Sequence, residues 1–438
     1  MLNVGKHTHV EILEKLPSIS KQIQEKIDNF GDDENPISIG NLGDIISKHS
    51  IWQKRFPRVE PFYAVKCNDV EPVIRILADM GLSFDCASKI EIQKILELGV
   101  GPSKIIYANT NKPLSFIKYA ADKGVSMMTF DCEDELIKIK KGYPDAKLVL
   151  RISPQSNYKV KLDLGKKFGC HPMHTSKLLE MAMKLKLDVI GVSFHVGHGC
   201  LETGAFAAAI EQSRKVFDIG LAMGFDMHLL DIGGGFPGEK IQNVETNITF
   251  EGIAEVANKA LDDYFPEKDV RIIAEPGQYY VSSAFTVAVN IITKKTCTDK
   301  EILAPDLDLL SKPTERNEPV RVYYVNDGIY GCFLLCLTDP GCFVPSHFKD
   351  TDAELYTSTI WGPTCDSLDL VIDNVKLPEL TSGDWIFFKD MGAYSFATAS
   401  SFNSMPKIKE YFICEKRLWE QVYNANSSEH SCKIEQNE

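Results

Sequence analysis

The sequence predicts an α/β protein in which a (β/α)8 barrel is followed by an antiparallel β domain. Three observations carry that prediction. Between residues 62 and 275 short β-branched or aromatic runs alternate with segments of helical pattern; the runs number eight; and beyond residue 280 extended runs continue without helices between them. A doubly wound open sheet would show the same alternation. The count of eight favours closure into a barrel, where the polar residues at the C-terminal ends of the strands meet at one mouth.

Taken in order, the runs are FYAVK ending at Lys66, LSFDC around Asp85, KIIYAN to Asn109, SMMTFD to Asp131, KLVLRI around Arg151, VIGVSFH to His195, HLLDIGGG around Asp231 and VRIIAE to Glu275. The first five begin twenty to twenty-two residues apart. Helices fill the intervals: from Ser176 to Leu185, for instance, Leu178, Met181, Ala182 and Leu185 recur at i, i+3, i+4 and i+7 and share one face. After Glu275 come YYVSSAFTVAVNIITKK, VRVYYVNDGIYG, YTSTIWGP and GDWIFFKDMGAYSF, broken by the turn residues Asn326-Asp327-Gly328, Gly362-Pro363 and Ser382-Gly383-Asp384. The expected organisation is therefore an N-terminal segment, 1–40, packing on the β domain; the barrel, 41–280; the β domain, 281–423; and a polar tail, 424–438. The polar stretch from Thr298 to Pro319 and the tail lack apolar periodicity and read as mobile loop.

Bulk properties narrow the function. A formal net charge of −13 over 438 residues argues against a nucleic-acid partner, which needs clustered Lys and Arg. The N-terminal MLNVGKHTHVEILEK has no apolar core of a secretory signal, and no run is long enough to span a bilayer, so a cytoplasmic location is expected and a membrane partner is not. The twelve cysteines are scattered without a CxxC pair, which fits buried thiols in a reducing compartment and no metal site.

Chemistry concentrates at the strand ends. A lysine at the end of an apolar strand is either an ordinary snorkelling side chain or, if desolvated, an amine free to form an imine with an aldehyde such as that of pyridoxal 5′-phosphate; Lys66 is that lysine. In DIGGGFPG, Asp231 to Gly238, three consecutive glycines give a backbone that can approach a phosphate closely, although most such turns are only turns. EPGQYY, from Glu275, adds a carboxylate that can hold a pyridine nitrogen protonated and a second close-approach glycine. His195 could stack on a flat ring or fill the mouth as a neutral core histidine.

Together these residues resemble the eukaryotic ornithine decarboxylase family of pyridoxal-phosphate barrel enzymes, whose relatives include alanine racemase. The resemblance runs from about Leu42 to Tyr411 and rests on PFYAVKCN, FDCAS, SFHVG, LLDIGGGFPG, AEPG, YYVNDG, WGPTCDSLD and MGAY, all in the family's order. It implies that Lys66 binds the cofactor aldehyde, Glu275 the pyridine nitrogen and His195 the ring face. Gly235, Gly277 and the Tyr394 hydroxyl would contact the phosphate, and Asp85 and Arg151 would line the floor. Cys365 would return a proton to the α-carbon after carbon dioxide leaves, reaching into the site of the other subunit. Lys167 and Asp369 would form a cross-subunit ion pair, so a homodimer with shared active sites is implied.

Three positions depart from the family's pattern. The resemblance places Tyr330, Gly331 and Asp366 around the substrate side chain, with Gly331 where the ornithine enzymes have one of two carboxylates for the distal ammonium; losing one partner of a buried ion pair costs on the order of 3–5 kcal/mol. Vacated volume beside Cys332 and Phe333 then implies a neutral apolar amino acid such as leucine, with ornithine decarboxylation the alternative. Gln278 stands for the usual arginine and His198 for the usual serine at the phosphate, which weakens a charge-assisted contact. A catalytically impaired, antizyme-binding homologue is the rival reading, since antizyme inhibitors also carry glycine at the position of Gly331. The lysine-rich segment Asn111 to Lys147, with Lys118, Lys138, Lys140 and Lys141, aligns with the family's antizyme-binding region.

Overall fold

The computed structural model describes residues 2–3, 9–30, 34–154, 158–162, 164–238, 248–297, 319–350 and 352–423. The polar stretch expected after Thr298, apart from Pro319, and the expected tail 424–438 lie outside the described residues. The chain divides into two compact units, residues 44–280 with 422–438 and residues 1–43 with 281–421.

The first unit is a closed barrel of eight parallel strands: β1 (Val59–Ala64), β2 (Ser83–Cys86), β3 (Ile105–Tyr107), β4 (Met127–Phe130), β5 (Lys147–Ile152), β6 (Asp188–Phe194), β7 (Leu229–Asp231) and β8 (Arg271–Ala274), each paired with its neighbours in chain order and β8 closing on β1. Phe62, Ile106, Ala108, Met127, Val149, Ile190, Leu229 and Ile273 form one buried cluster, with members from seven of the eight runs, that plugs the interior. Side chains two residues further along a strand point to the same face. Arg151, Asp231 and Glu275 therefore stand one layer above Val149, Leu229 and Ile273, at the C-terminal mouth.

Local sequence sets the helix ends around this barrel. Ser88 caps the helix Lys89–Glu97 by accepting the Glu91 N–H at 3.2 Å, while the Glu91 carboxylate reaches back to the Ala87 N–H at 2.6 Å, a reciprocal capping pair. The helix read at Ser176 to Leu185 spans Thr175–Lys184 and buries Leu178, Leu179 and Ala182. Leu179 replaces Met181 in the buried stripe because the face is turned by one position.

The second unit is a ten-stranded sheet on a core that includes Val287, Val289, Ile291, Tyr323, Phe333, Ile360 and Phe388. The sheet is mixed where alternation and turns pointed to antiparallel pairing. His9–Leu13 and Ile37–Asn41 each run parallel to Lys409–Glu415, and Val320–Val325 runs parallel to Leu355–Trp361. Period-two alternation is common to both pairing modes, so it does not report strand direction. Among the described residues no helix is long and apolar enough to cross a membrane, and no group of three His, Cys, Asp or Glu could hold a metal ion.

Candidate active site

Strand β1 stops at Ala64, and Lys66 sits in the 3-10 turn Val65–Cys67 that follows. Two contacts from the end of β8 hold this turn. The Ala64 N–H donates to the Pro276 carbonyl at 3.2 Å, and Gly277 lies so close that a Cβ there would stand 2.8 Å from Cys67 Cβ. The approach of the lysine turn thus requires a glycine at 277. The Lys66 amine pairs with the fully buried Asp85, and its side chain is 40% exposed. A carboxylate is thus a direct neighbour of this amine. Asp85 Oδ1 is buried with no hydrogen-bond partner.

Glu275 and Asp231 form a second acidic group. The Glu275 N–H donates to the Gly233 carbonyl at 2.7 Å and the Gly233 N–H donates to Asp231 Oδ1 at 2.9 Å, so the strand-end backbones fix both residues. Burial, then mutual repulsion with Asp85 and Asp231, holds the Glu275 carboxyl well above the usual range, and burial pushes Asp231 up to about 7. Two neighbouring buried carboxyls share a proton rather than both ionise. Asp231 Oδ2 is itself buried without a donor.

His195 follows β6, half-buried, with Nδ1 accepting the Gly197 N–H at 3.0 Å. Burial and then the nearby Arg151 and Lys66 cations keep its pKa well below the ordinary value, so the ring is neutral and flat. Gly234 lies against it; a Cβ there would stand 3.0 Å from Nε2. Gly233 and Gly235 adopt left-handed backbone, φ +64° and +95°, so the triple-glycine turn needs residues without side chains. The Arg151 guanidinium stacks 5.0 Å from the Phe168 ring centroid.

His198 begins a two-strand ribbon with Val160–Leu162, which edges a cavity of about 640 Å³ lined in part by Arg151, Tyr158, Lys159, Phe168 and His195. A cavity of about 840 Å³ opens at the opposite end of the barrel, beside Arg58 and Arg271. Those two cations are already paired, with Asp262 at 2.8 Å and Glu60 at 2.6 Å, so the mouth with its unsatisfied acids is the better site.

The β unit gathers Tyr330, Cys365 and Asp366. The Tyr330 hydroxyl donates to Asp366, and that bond, with the Leu368 N–H, holds the Asp366 carboxyl below its usual range. Cys365 is exposed, and Gln278 and Tyr394 are half-buried. The expectation of vacated volume at Gly331 is corrected: a Cβ there would overlap the Asp327 carboxylate, which accepts the Gly328 N–H at 2.9 Å and the Cys332 N–H at 3.2 Å. Asp369, 1% exposed, accepts from Ile329 N–H at 2.8 Å and from Thr364 N–H and Oγ1 at 2.9 and 2.6 Å. Its carboxylate is engaged within its own unit, whereas Lys167 is exposed with its amine 5.0 Å from the Phe168 ring centroid.

Reading strand ends as functional positions brings Lys66, Asp85, Arg151, His195, Glu275 and the glycine turn to one mouth. It passed over Asp231 as part of a glycine motif and gave no role to Asp327 or Asn403. An acid directly before a run of glycines was the available signal for Asp231; Asp327 is engaged within its own loop, by Gly328 and Cys332, and Asn403 by Cys365, 38 residues away.

Residues 42–282 match the family described as pyridoxal-dependent decarboxylase, pyridoxal binding domain. The ornithine decarboxylase of Rattus norvegicus is 47% identical over 413 residues, covering 92% of this chain and 86% of that protein. Antizyme inhibitor 2 of Xenopus laevis is 46% identical over 412 residues, covering 92% and 87%. Among solved structures, the arginine decarboxylase of Paramecium bursaria Chlorella virus is 32% identical, with a TM-score of 0.81 over 90% of this chain and 100% of that one.

Proposed function

The chain belongs to the pyridoxal-dependent decarboxylases, and from that premise we propose that its barrel mouth releases carbon dioxide from a basic amino acid, ornithine first among them. The enzyme class and the cofactor, pyridoxal 5′-phosphate, are those of the family. The side chains at the mouth fit that group. Lys66 offers the amine for its aldehyde, the Asp231–Glu275 pair offers a shared proton to its ring nitrogen, and His195 offers a neutral flat face. The left-handed turn at Gly233 and Gly235 offers a backbone without side chains, with His198 and Gln278 as further phosphate contacts. When bound, the ring supplies an electron sink for the pair left behind by carbon dioxide.

The chain's own groups do the rest. Asp85 holds the Lys66 amine at the mouth and can take up its proton when a substrate amine exchanges with it. Arg151 places a cation near the buried acids and, with Lys66, helps keep His195 neutral. The Cys365 thiol, exposed on its own chain, returns a proton to the α-carbon in the site of a second copy, so the working unit is a homodimer. Asp366 is the observation that carries the substrate assignment. It stays ionised and accepts the Tyr330 hydroxyl, a setting for an ammonium rather than for an apolar side chain. The leucine preference drawn from Gly331 loses its physical ground once Asp327 occupies that space.

Carbon dioxide release from L-ornithine, L-lysine, L-arginine and L-leucine, in the native protein and in Lys66→Ala, is the test. Release from a basic amino acid that Lys66→Ala abolishes is the expected result. Fastest release from leucine overturns the side-chain assignment, and no release from any of the four overturns the activity.

Antizyme binding is a second reading, supported by the likeness to antizyme inhibitor 2 and by the helix Glu133–Gly142, which presents Ile137, 49% exposed, beside the exposed Lys141. Retention on immobilised antizyme, lost in a variant carrying Ile137→Asp and Lys141→Glu, would support it; no retention of the native protein ends it.

A further inference from the structure

We infer that Asn403 is a positioning residue for the Cys365 thiol, an inference that rests on the proposed role of Cys365 as proton donor. Three loops of the β unit meet around that cysteine. Asp369 ties the first to the second, joining the amides of Ile329 and Thr364. The third, residues 400–404, closes on both: Ser400 N–H donates to the Tyr330 carbonyl at 2.8 Å, the Phe402 ring lies 4.5 Å from that of Tyr330, and Asn403 Oδ1 accepts the Cys365 N–H at 2.9 Å.

Asn403 and Ser404 both adopt left-handed backbone, φ +53° and +54°. Two consecutive residues with side chains in that region cost roughly 1 kcal/mol or more each, so the loop keeps this shape only because its contacts enforce it. The shape aims the Asn403 carbonyl at the one amide that sets where Cys365 stands. Asp369 fixes the flanks of the cysteine loop at Thr364 and Gly362, and Asn403 fixes its tip.

Two substitutions separate the acceptor from the backbone. Asn403→Gly keeps the left-handed turn without strain and removes the oxygen; Asn403→Asp keeps an oxygen that can accept the amide. The first readout is the ratio of amine to carbonyl product from whichever of ornithine, lysine, arginine and leucine the native protein decarboxylates fastest. With the thiol out of place the α-carbon would lack its proton donor, and the substrate carbon would leave, after addition of water, as carbonyl rather than amine, its amino group retained by the cofactor. The second is the rate at which iodoacetamide labels Cys365 in the dimer, read on its peptide by mass spectrometry, which needs no turnover.

Cys365→Ala is expected to give mainly carbonyl product. Asn403→Gly is expected to raise the carbonyl share and the labelling rate each by about fivefold, the change in population that one hydrogen bond represents, with Asn403→Asp close to native in both. If Cys365→Ala leaves the ratio unchanged, the proton-donor role fails while labelling still judges Asn403. If Cys365→Ala shifts the ratio and Asn403→Gly shifts neither readout, or Asn403→Asp does the same damage as glycine, Asn403 does not position the thiol.

Discussion

Two pairs of buried aspartates behave in opposite ways. In the β unit, Asp369 receives three donors, from Thr364 of its own loop and from Ile329, and Asp327 two from its own loop, and neither leaves an oxygen without a partner. In the barrel, Asp85 and Asp231 are at least as deeply buried, yet each keeps one oxygen without a hydrogen bond. Burying an unsatisfied carboxylate oxygen costs free energy that a fold does not accept without a reason. Satisfied carboxylates here are scaffold, and unsatisfied ones mark where a ligand or a reacting proton belongs. The glycines differ too: those beside Asp327 and Asp369 make room for a carboxylate, while Gly234 and Gly235 make room for the backbone and the His195 ring packed against them.

Substitutions should break along that line, beginning with the largest effect. Lys66→Ala should lower turnover by roughly 10⁴-fold or more, as loss of a covalent-catalysis nucleophile does. Asp369→Asn should destabilise the β unit by about 3 kcal/mol, because the amide nitrogen it introduces faces backbone donors and strands at least one of them; unfolding followed by urea titration measures it. Gly331→Ala should cost about 2 kcal/mol through overlap with Asp327 and should not widen the substrate range, which a product assay on leucine would check.

Asp231→Asn should do the reverse of Asp369→Asn. The folded-state carboxyl of Asp231 is raised from 3.8 to about 7 by burial. Its favourable contribution is complete below about pH 4 and is lost as pH rises through about 7. Without cofactor, raising pH across that window should therefore destabilise the native protein relative to Asp231→Asn, on the order of 1 kcal/mol per pH unit. Equal slopes for the two proteins would remove the barrel half of the comparison. The smallest expected change is Gln278→Arg, which restores a charge-assisted phosphate contact and should tighten cofactor binding about tenfold, measured by dialysis against pyridoxal 5′-phosphate.

How much of this was legible in the sequence follows from the range of the interactions involved. The barrel and its mouth could be read because each strand carries its own signal, a run of β-branched residues with a polar terminus, and the closed geometry collects those termini without further information. Lys66, His195 and Glu275 were found in that way. The pairing of Lys66 with Asp85 was not legible, because the partner comes from the neighbouring strand and pairing partners are not written in either run. Gly331 was misread for a similar reason: the absence of a side chain looks like empty space until the Asp327 carboxylate is seen to occupy it. Parallel pairing in the β unit escaped because alternation is blind to direction. Asn403 could not be found at all, since its role depends on a left-handed turn meeting a loop 38 residues away.

The central claim is that the amine of Lys66, drawn from its pairing with Asp85, carries the cofactor. Borohydride reduction of the protein after incubation with pyridoxal 5′-phosphate, followed by peptide mass mapping, tests it most directly. The reduced cofactor should be found on the peptide containing Lys66, and on no lysine in Lys66→Ala. Cofactor mass on a different lysine in the native protein, or on none, would contradict the claim.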